Sequence, residues 1–149
     1  MKLEEVIKQD QFKNPYYKAI LNIRVTESWL SSQINQRLKT FGISQEQYNV
    51  LRILKGQHPN PSSLLLITER MVNRMSNATR LVEKLRKGGY VTRKECPSNR
   101  RKVDILITDK GLELLDQIKP ELDESMDNMK NLSIEEANLL NDLLDKFRG

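Results

Sequence analysis

Ser76, Asn77, Thr79, Arg80 and Lys84 fall within nine consecutive residues. Short hydroxyl and amide side chains with an arginine among them do hydrogen-bonding chemistry rather than bond-breaking chemistry. An asparagine can pair bidentately with an adenine edge and an arginine with a guanine edge. A lysine further along suits a phosphate, which positions without specifying. A second cluster follows at Arg100, Arg101 and Lys102, three adjacent cations preceded by Pro97, Ser98 and Asn99. Both clusters lie in the segment 72–102, which carries ten Lys/Arg against two acids, a net charge of +8. The segment 103–149 carries five against twelve, a net of −7, and 1–71 a net of +4, so the chain total of +5 hides a strong asymmetry. A block this basic attracts a polyanion through counterion release.

Catalytic chemistry is not indicated. The chain has one histidine, His58, and one cysteine, Cys96. It shows no Gly-rich phosphate loop, no Ser/His/Asp set and no Cys/His metal cluster, so no catalytic residue, metal or cofactor is expected and the chain is not read as an enzyme. One cysteine cannot form an intrachain disulfide. The neighbours Arg93, Lys94, Arg100 and Arg101 would lower the Cys96 pKa, yet an incidental cysteine is the reading preferred over an oxidant sensor. His58, in a Pro-rich loop, is read as a surface residue. The longest purely apolar run is Leu64 to Ile67, too short to span a membrane. Residues 1–10 alternate charged and apolar types without the apolar stretch of a signal peptide, and a cytoplasmic protein is the expectation.

The elements that must position the two clusters follow from periodicity. Pro15 precedes an amphipathic stretch, 16–41, in which Tyr16, Ile20, Ile23, Leu30, Ile34 and Leu38 recur at helical spacing, with Glu27 on the same stripe and Gly42 ending it. Ser44 with Gln47 forms a capping box that opens a second helix, through about Lys55, which Gly56 closes. A short third helix spans 63–71. Asn73 is the expected N-cap of a fourth, 74–87, whose Ala78, Leu81, Val82 and Leu85 make one buried face while Ser76, Asn77, Arg80 and Lys84 lie opposite. The period then becomes alternating. Residues 90–95 and 103–107 read as two strands of a β-hairpin around the loop 96–102. Thr108 caps a helix running to about Met129 through Pro120, and a capping box at Ser133 and Glu136 opens the last helix. Tyr16, Tyr17, Trp29 and Tyr48 are read as core, the second reading being the lining of a ligand crevice. Two long terminal helices with apolar stripes and little other core to cover call for a partner. A second copy of the chain supplies one, through Ile20, Ile23, Leu140, Leu144 and Phe147.

Two short helices, then a basic β-hairpin, make a winged helix-turn-helix: a mainly α fold with a small hairpin, flanked by N- and C-terminal dimerisation helices. The stretch Met75-Ser-Asn-Ala-Thr-Arg-Leu-Val-Glu-Lys-Leu-Arg-Lys-Gly-Gly-Tyr-Val91 resembles the recognition helix of the MarR family. Pro97-Ser-Asn-Arg-Arg-Lys-Val-Asp-Ile-Leu-Ile-Thr-Asp-Lys-Gly111 is similar to that family's wing and following helix. The resemblance implies a single unit over 1–149, with a DNA-binding part at 44–108 and dimerisation helices at 1–41 and 109–149. It implies a cytoplasmic transcription regulator, a repressor, that binds double-stranded DNA at a pseudo-palindromic operator as a homodimer and is released by a small-molecule effector. It also implies a wing arginine in the minor groove, at Arg100 or Arg101. The family usually has Asp just before this pair, where this chain has Asn99, which accepts a hydrogen bond but carries no charge. The alternative is a winged-helix protein-interaction module without sequence-specific DNA binding. Such a module has no need to gather Arg80, Lys84, Arg100 and Arg101 on one surface.

Overall fold

The computed structural model describes the backbone of residues 1–96, 99–127 and 131–149, and the side chains of 1–94, 103–127 and 131–149. Seven helices and one hairpin follow in order among these residues: α1 (Leu3–Ile7), α2 (Pro15–Thr40), α3 (Gln45–Gln57), α4 (Leu64–Arg70), α5 (Ala78–Lys87), β1 (Val91–Cys96), β2 (Asn99–Ile107), α6 (Asp109–Asp127) and α7 (Ile134–Arg148). No described helix is long and apolar enough to cross a membrane.

Side chains set most of the boundaries. Asn14 caps α2 by accepting from the Tyr17 N–H at 2.8 Å, with Pro15 in the first turn where its missing N–H costs nothing. Beyond α2, Gly42 takes φ +70°, a left-handed conformation that favours glycine. In the Ser44/Gln47 box the Gln47 N–H donates to Ser44 Oγ at 3.2 Å and the Ser44 N–H to Gln47 Oε1 at 3.0 Å. Ser133 and Glu136 form a second such box at α7, while Ser63 caps α4 by its side chain alone, accepting from the Leu66 N–H at 3.1 Å. The Gly111 N–H donates to Thr108 Oγ1 at 3.2 Å, so Thr108 closes the first turn of α6.

Four boundaries depart from the sequence reading. Residues 3–7 form a short helix, tied to α2 by the Lys18–Glu4 ion pair, whose hydrogen bond holds the Glu4 carboxyl below its usual range. Gly56 lies within α3 rather than closing it, because nothing crowds it and the helix runs on to a cap at His58. The fourth helix begins at Ala78, not Arg74. Asn73 spends its Oδ1 on the Met75 N–H at 3.1 Å in a local turn, and Asn77 is the cap. Starting earlier would have buried nothing, since Met75 is 93% exposed. The hairpin is also more extended than the loop 96–102 implied. Cys96 pairs with Asn99 across it after a register shift at Glu95.

The core lies where α2, α3, α5, α6 and the hairpin meet, around Leu38, Leu51, Leu54, Val82, Ile105 and Ile118. Tyr16, Tyr17 and Trp29 are not part of it, contrary to the reading from spacing: they stand 78%, 44% and 47% exposed along the outside of α2. An apolar stripe longer than the core it faces leaves its ends uncovered. The hairpin is welded to the helices by a third, isolated strand position. Ser62 donates its N–H to the Ile105 carbonyl and accepts from the Ile105 N–H, both at 2.9 Å. Ile105 therefore pairs with Arg93 on one side and Ser62 on the other.

The joint between β2 and α6 is equally tight. A Cβ on Gly111 would lie 2.4 Å from the Tyr90 carbonyl oxygen and 2.7 Å from Ile107 Cγ1. Gly111→Ala should accordingly destabilise the chain by about 1–3 kcal/mol, the usual cost of overpacking, and lower its melting temperature in a calorimetric scan. An unchanged melting temperature would show that the joint has slack.

Candidate nucleic-acid interface

α4 and α5 pack as a helix-turn-helix, and the hairpin begins three residues after α5 ends, at Gly88, Gly89 and Tyr90. Ala78, Val82 and Leu85 face the core. This burial turns Asn77, Thr79, Arg80, Lys84 and Lys87 outward, all exposed, while Ser76 is half-buried beside the turn. The Asn77 side chain accepts from the Arg80 N–H at 3.0 Å, so its oxygen is committed to the cap and its NH2 group is what remains for a ligand.

One charge on this helix is already spent. Arg86 makes a forked pair with Glu83, its Nε to Oε2 at 2.9 Å and Nη2 to Oε1 at 2.8 Å. The hydrogen bonds that Arg86 donates to the Glu83 carboxylate hold the carboxyl below its usual range and raise the guanidinium pKa. Arg80, Lys84 and Lys87 have no ion-pair partner among the described residues, and neither do Arg93 and Lys94 on β1. The exposed face of α5 is thus a row of uncompensated cations on a rigid support. The side chains of Arg100 and Arg101, like that of Cys96, lie outside the described residues, although the backbone of both arginines belongs to β2.

A positioning residue was missed in the sequence. Lys110 donates to the Gly88 carbonyl at 2.8 Å and lies 4.8 Å from the centre of the Tyr90 ring, while the Thr108 hydroxyl donates to the Gly89 carbonyl at 2.7 Å. Together they lock the end of α5 to the start of α6, and so fix the helix against the hairpin. Its signal was the Thr108-Asp-Lys-Gly111 run, read only as a helix start.

Away from this face, Ile20 and Ile23 on α2 and Leu140 and Phe147 on α7 are exposed, and Leu144 is half-buried. No residue of α7 is buried. Ile23, Leu140, Leu144 and Phe147 line one open groove between the two helices, about 690 Å³ in volume.

A helix-turn-helix joined rigidly to a β-hairpin, with free cations along its second helix, defines a winged helix-turn-helix protein. The model of the MarR family matches residues 43–103, the stretch from the end of α2 into β2. The chain is 29% identical to the transcriptional repressor MprA of Escherichia coli over 107 residues, 70% of this chain and 61% of that protein. It spans between 52% and 61% of the first curated relatives it matches. Among solved structures, a MarR transcription factor of Planctomyces limnophilus superposes with a TM-score of 0.70 at 29% identity, covering 91% of this chain and 98% of that one. Sco3205, a MarR family regulator of Streptomyces coelicolor solved in complex with DNA, superposes with a TM-score of 0.76 at 20% identity, covering 94% and 90%.

The two roles of Asn77 can be separated. Asn77→Ala should cost about 0.5–2 kcal/mol of stability by uncapping α5, whereas Asn77→Asp should keep the cap and melt like the wild type. If the exposed face of α5 meets phosphates and bases, Asn77→Asp should still weaken duplex binding, because it sets a carboxylate there. A duplex affinity equal to wild type in a titration would place Asn77 away from the nucleic acid.

Proposed function

We propose that this chain is a cytoplasmic transcription regulator that binds a pseudo-palindromic operator as a homodimer, acts as a repressor, and is released by a small-molecule effector. The observation that carries the reading is the exposed face of α5, where Arg80, Lys84 and Lys87 stand without acidic partners on a helix fixed at both ends. The major groove, about 12 Å wide, admits a helix of this kind. The repressor MprA and the DNA-bound Sco3205 support the direction of the reading.

In this account residues 44–108 form the DNA-reading part. Asn77, through its NH2 group, and Arg80 contact base edges, with Ser76 and Thr79 beside them, and Lys84 meets phosphate. Arg100 or Arg101 enters the minor groove, where a narrow A/T-rich groove concentrates negative potential. Residues 1–41 and 109–149 form the dimerisation part. Ile20, Ile23, Leu140, Leu144 and Phe147 meet their counterparts across a two-fold axis, which covers the groove between α2 and α7. A two-fold protein reads a two-fold site.

A duplex selected from a random pool should show two symmetric half-sites about 10 bp apart in a footprint, or a multiple of that spacing, and the free protein should sediment as a dimer. Arg80→Ala should cost about 1–3 kcal/mol and relax base preference at one position of each half-site. Lys84→Ala should weaken binding to all sequences and reduce the salt slope by about 1. Replacing both Arg100 and Arg101 with Ala should erase any preference for A/T-rich flanks. A monomer giving an asymmetric footprint, or Arg80→Ala with unchanged affinity and preference, would overturn the reading.

A further inference from the structure

Three apolar side chains in the segment that joins α4 to α5 have three different fates. Met71 is buried in the core. Val72 stands 89% exposed but lines the open groove between α2 and α7. Met75 stands 93% exposed and forms no part of that groove. A single exposed apolar residue is ordinary on a protein surface. Met75 is set apart by how its backbone is held. It is the third residue of a turn closed by the Ser76 N–H, which donates to the Asn73 carbonyl at 3.2 Å, and its own N–H donates to Asn73 Oδ1 at 3.1 Å. Before the turn, the Val72 N–H donates to Asn49 Oδ1 of α3 at 3.0 Å; after it, Asn77 caps α5. The turn is anchored on both sides, and it holds the thioether side chain out in solvent. Burial alternates beyond it, with Met75 exposed, Ser76 half-buried, Asn77 exposed and Ala78 buried. Met75 therefore shares the outer side of the chain with Asn77.

We propose that Met75 is a specificity-determining residue, which covers the C5-methyl group of one thymine in the major groove of each half-site. The inference rests on the DNA-binding reading above and adds to it the kind of base edge that is read. A recognition helix meets base edges with its N-terminal residues. Met75 lies two residues ahead of the N-cap of α5, at that end of the helix. The other exposed residues from 73 to 80 are Asn73, Arg74, Asn77, Thr79 and Arg80, which act chiefly through hydrogen bonds or charge. Met75 alone among them offers a mainly apolar surface. The thymine methyl is the apolar mark of the major groove, and it helps to tell A·T from T·A. A phosphate or a sugar hydroxyl would give such a side chain nothing to gain. An unbranched thioether adapts its shape to a small apolar target. Covering the methyl group takes both it and Met75 out of water, so the exposure that is unfavourable in the free chain favours the complex.

The test replaces thymine by uracil, one position at a time and in both halves, in a duplex selected from a random pool. Uracil pairs with adenine as thymine does and lacks only the methyl group. At one thymine position of each half-site the replacement should weaken binding by the full-length wild-type chain about fourfold per half-site, the loss that follows from uncovering one methyl group. Met75→Ala should melt like the wild type, because the side chain it removes is exposed. It should bind the thymine duplex about fourfold per half-site more weakly than the wild type does, and bind the thymine and uracil duplexes within about twofold of each other at that position. Both proteins meet the same two duplexes, so any effect of uracil on the shape of the DNA cancels in the comparison. Three results overturn the proposal and leave the DNA-binding reading standing: a selected site without thymine, a wild type indifferent to uracil at every thymine, or a Met75→Ala variant that discriminates at every position as the wild type does. A chain that binds no duplex overturns both.

Discussion

The position of Ile105 governs the rest of the molecule. A two-stranded hairpin is marginal in water by itself. Here its second strand is paired on both edges, to Arg93 across the hairpin and to Ser62 ahead of α4, and Ile105 itself is fully buried. Burying such a side chain contributes about 1.5–3 kcal/mol, and the two hydrogen bonds to Ser62 fix its direction. The hairpin thereby becomes a wall of the same core that holds α3, α5 and α6. A reading head made of a helix and a wing works only if their separation matches the separation of two grooves. The Ile105 pairing and the Lys110–Tyr90–Gly88 contacts set that separation before any ligand arrives.

Electrostatics then decide what the rigid head can meet. The charges of the chain are segregated along the sequence, basic over 72–102 and acidic beyond. Among the described side chains, folding leaves the basic segment largely without ion-pair partners. The described ion pairs consume Glu83 and Arg86 on α5, but they spare Arg80, Lys84 and Lys87. Elsewhere the acids of α6 serve other cations, as Asp116 does for Lys55. These surface pairs contribute little to stability. What matters is which cations they leave free.

The legible parts of the fold were those with one physical solution. Ser44/Gln47 and Ser133/Glu136 are capping boxes whose donors and acceptors have no better partner, and both form. The alternation Val103, Ile105, Ile107 has one buried face and makes a strand. Errors arose where two solutions compete. Asn73 and Asn77 can each cap a helix, and only the tertiary burial of Ala78 decides between them. The aromatic residues of α2 obey a helical stripe, but the core is shorter than the stripe, so Tyr16 and Trp29 end outside it. Sequence periodicity shows which face is apolar, not how far its cover extends. The candidate site was legible as a row of residue types. Its partition was not, because the pairing of Arg86 with Glu83 and the locking role of Lys110 depend on distances in space.

The central claim is that α5 and the hairpin form one rigid reading head for duplex DNA. Amide hydrogen exchange, compared between the free chain and the chain saturated with a duplex selected from a random pool, tests it most directly. The account predicts joint protection of residues 76–87 and 95–102 on binding, with little change at the already buried strand positions around Ile105. Protection confined to α2 and α7, or of only one of the two segments, would contradict it.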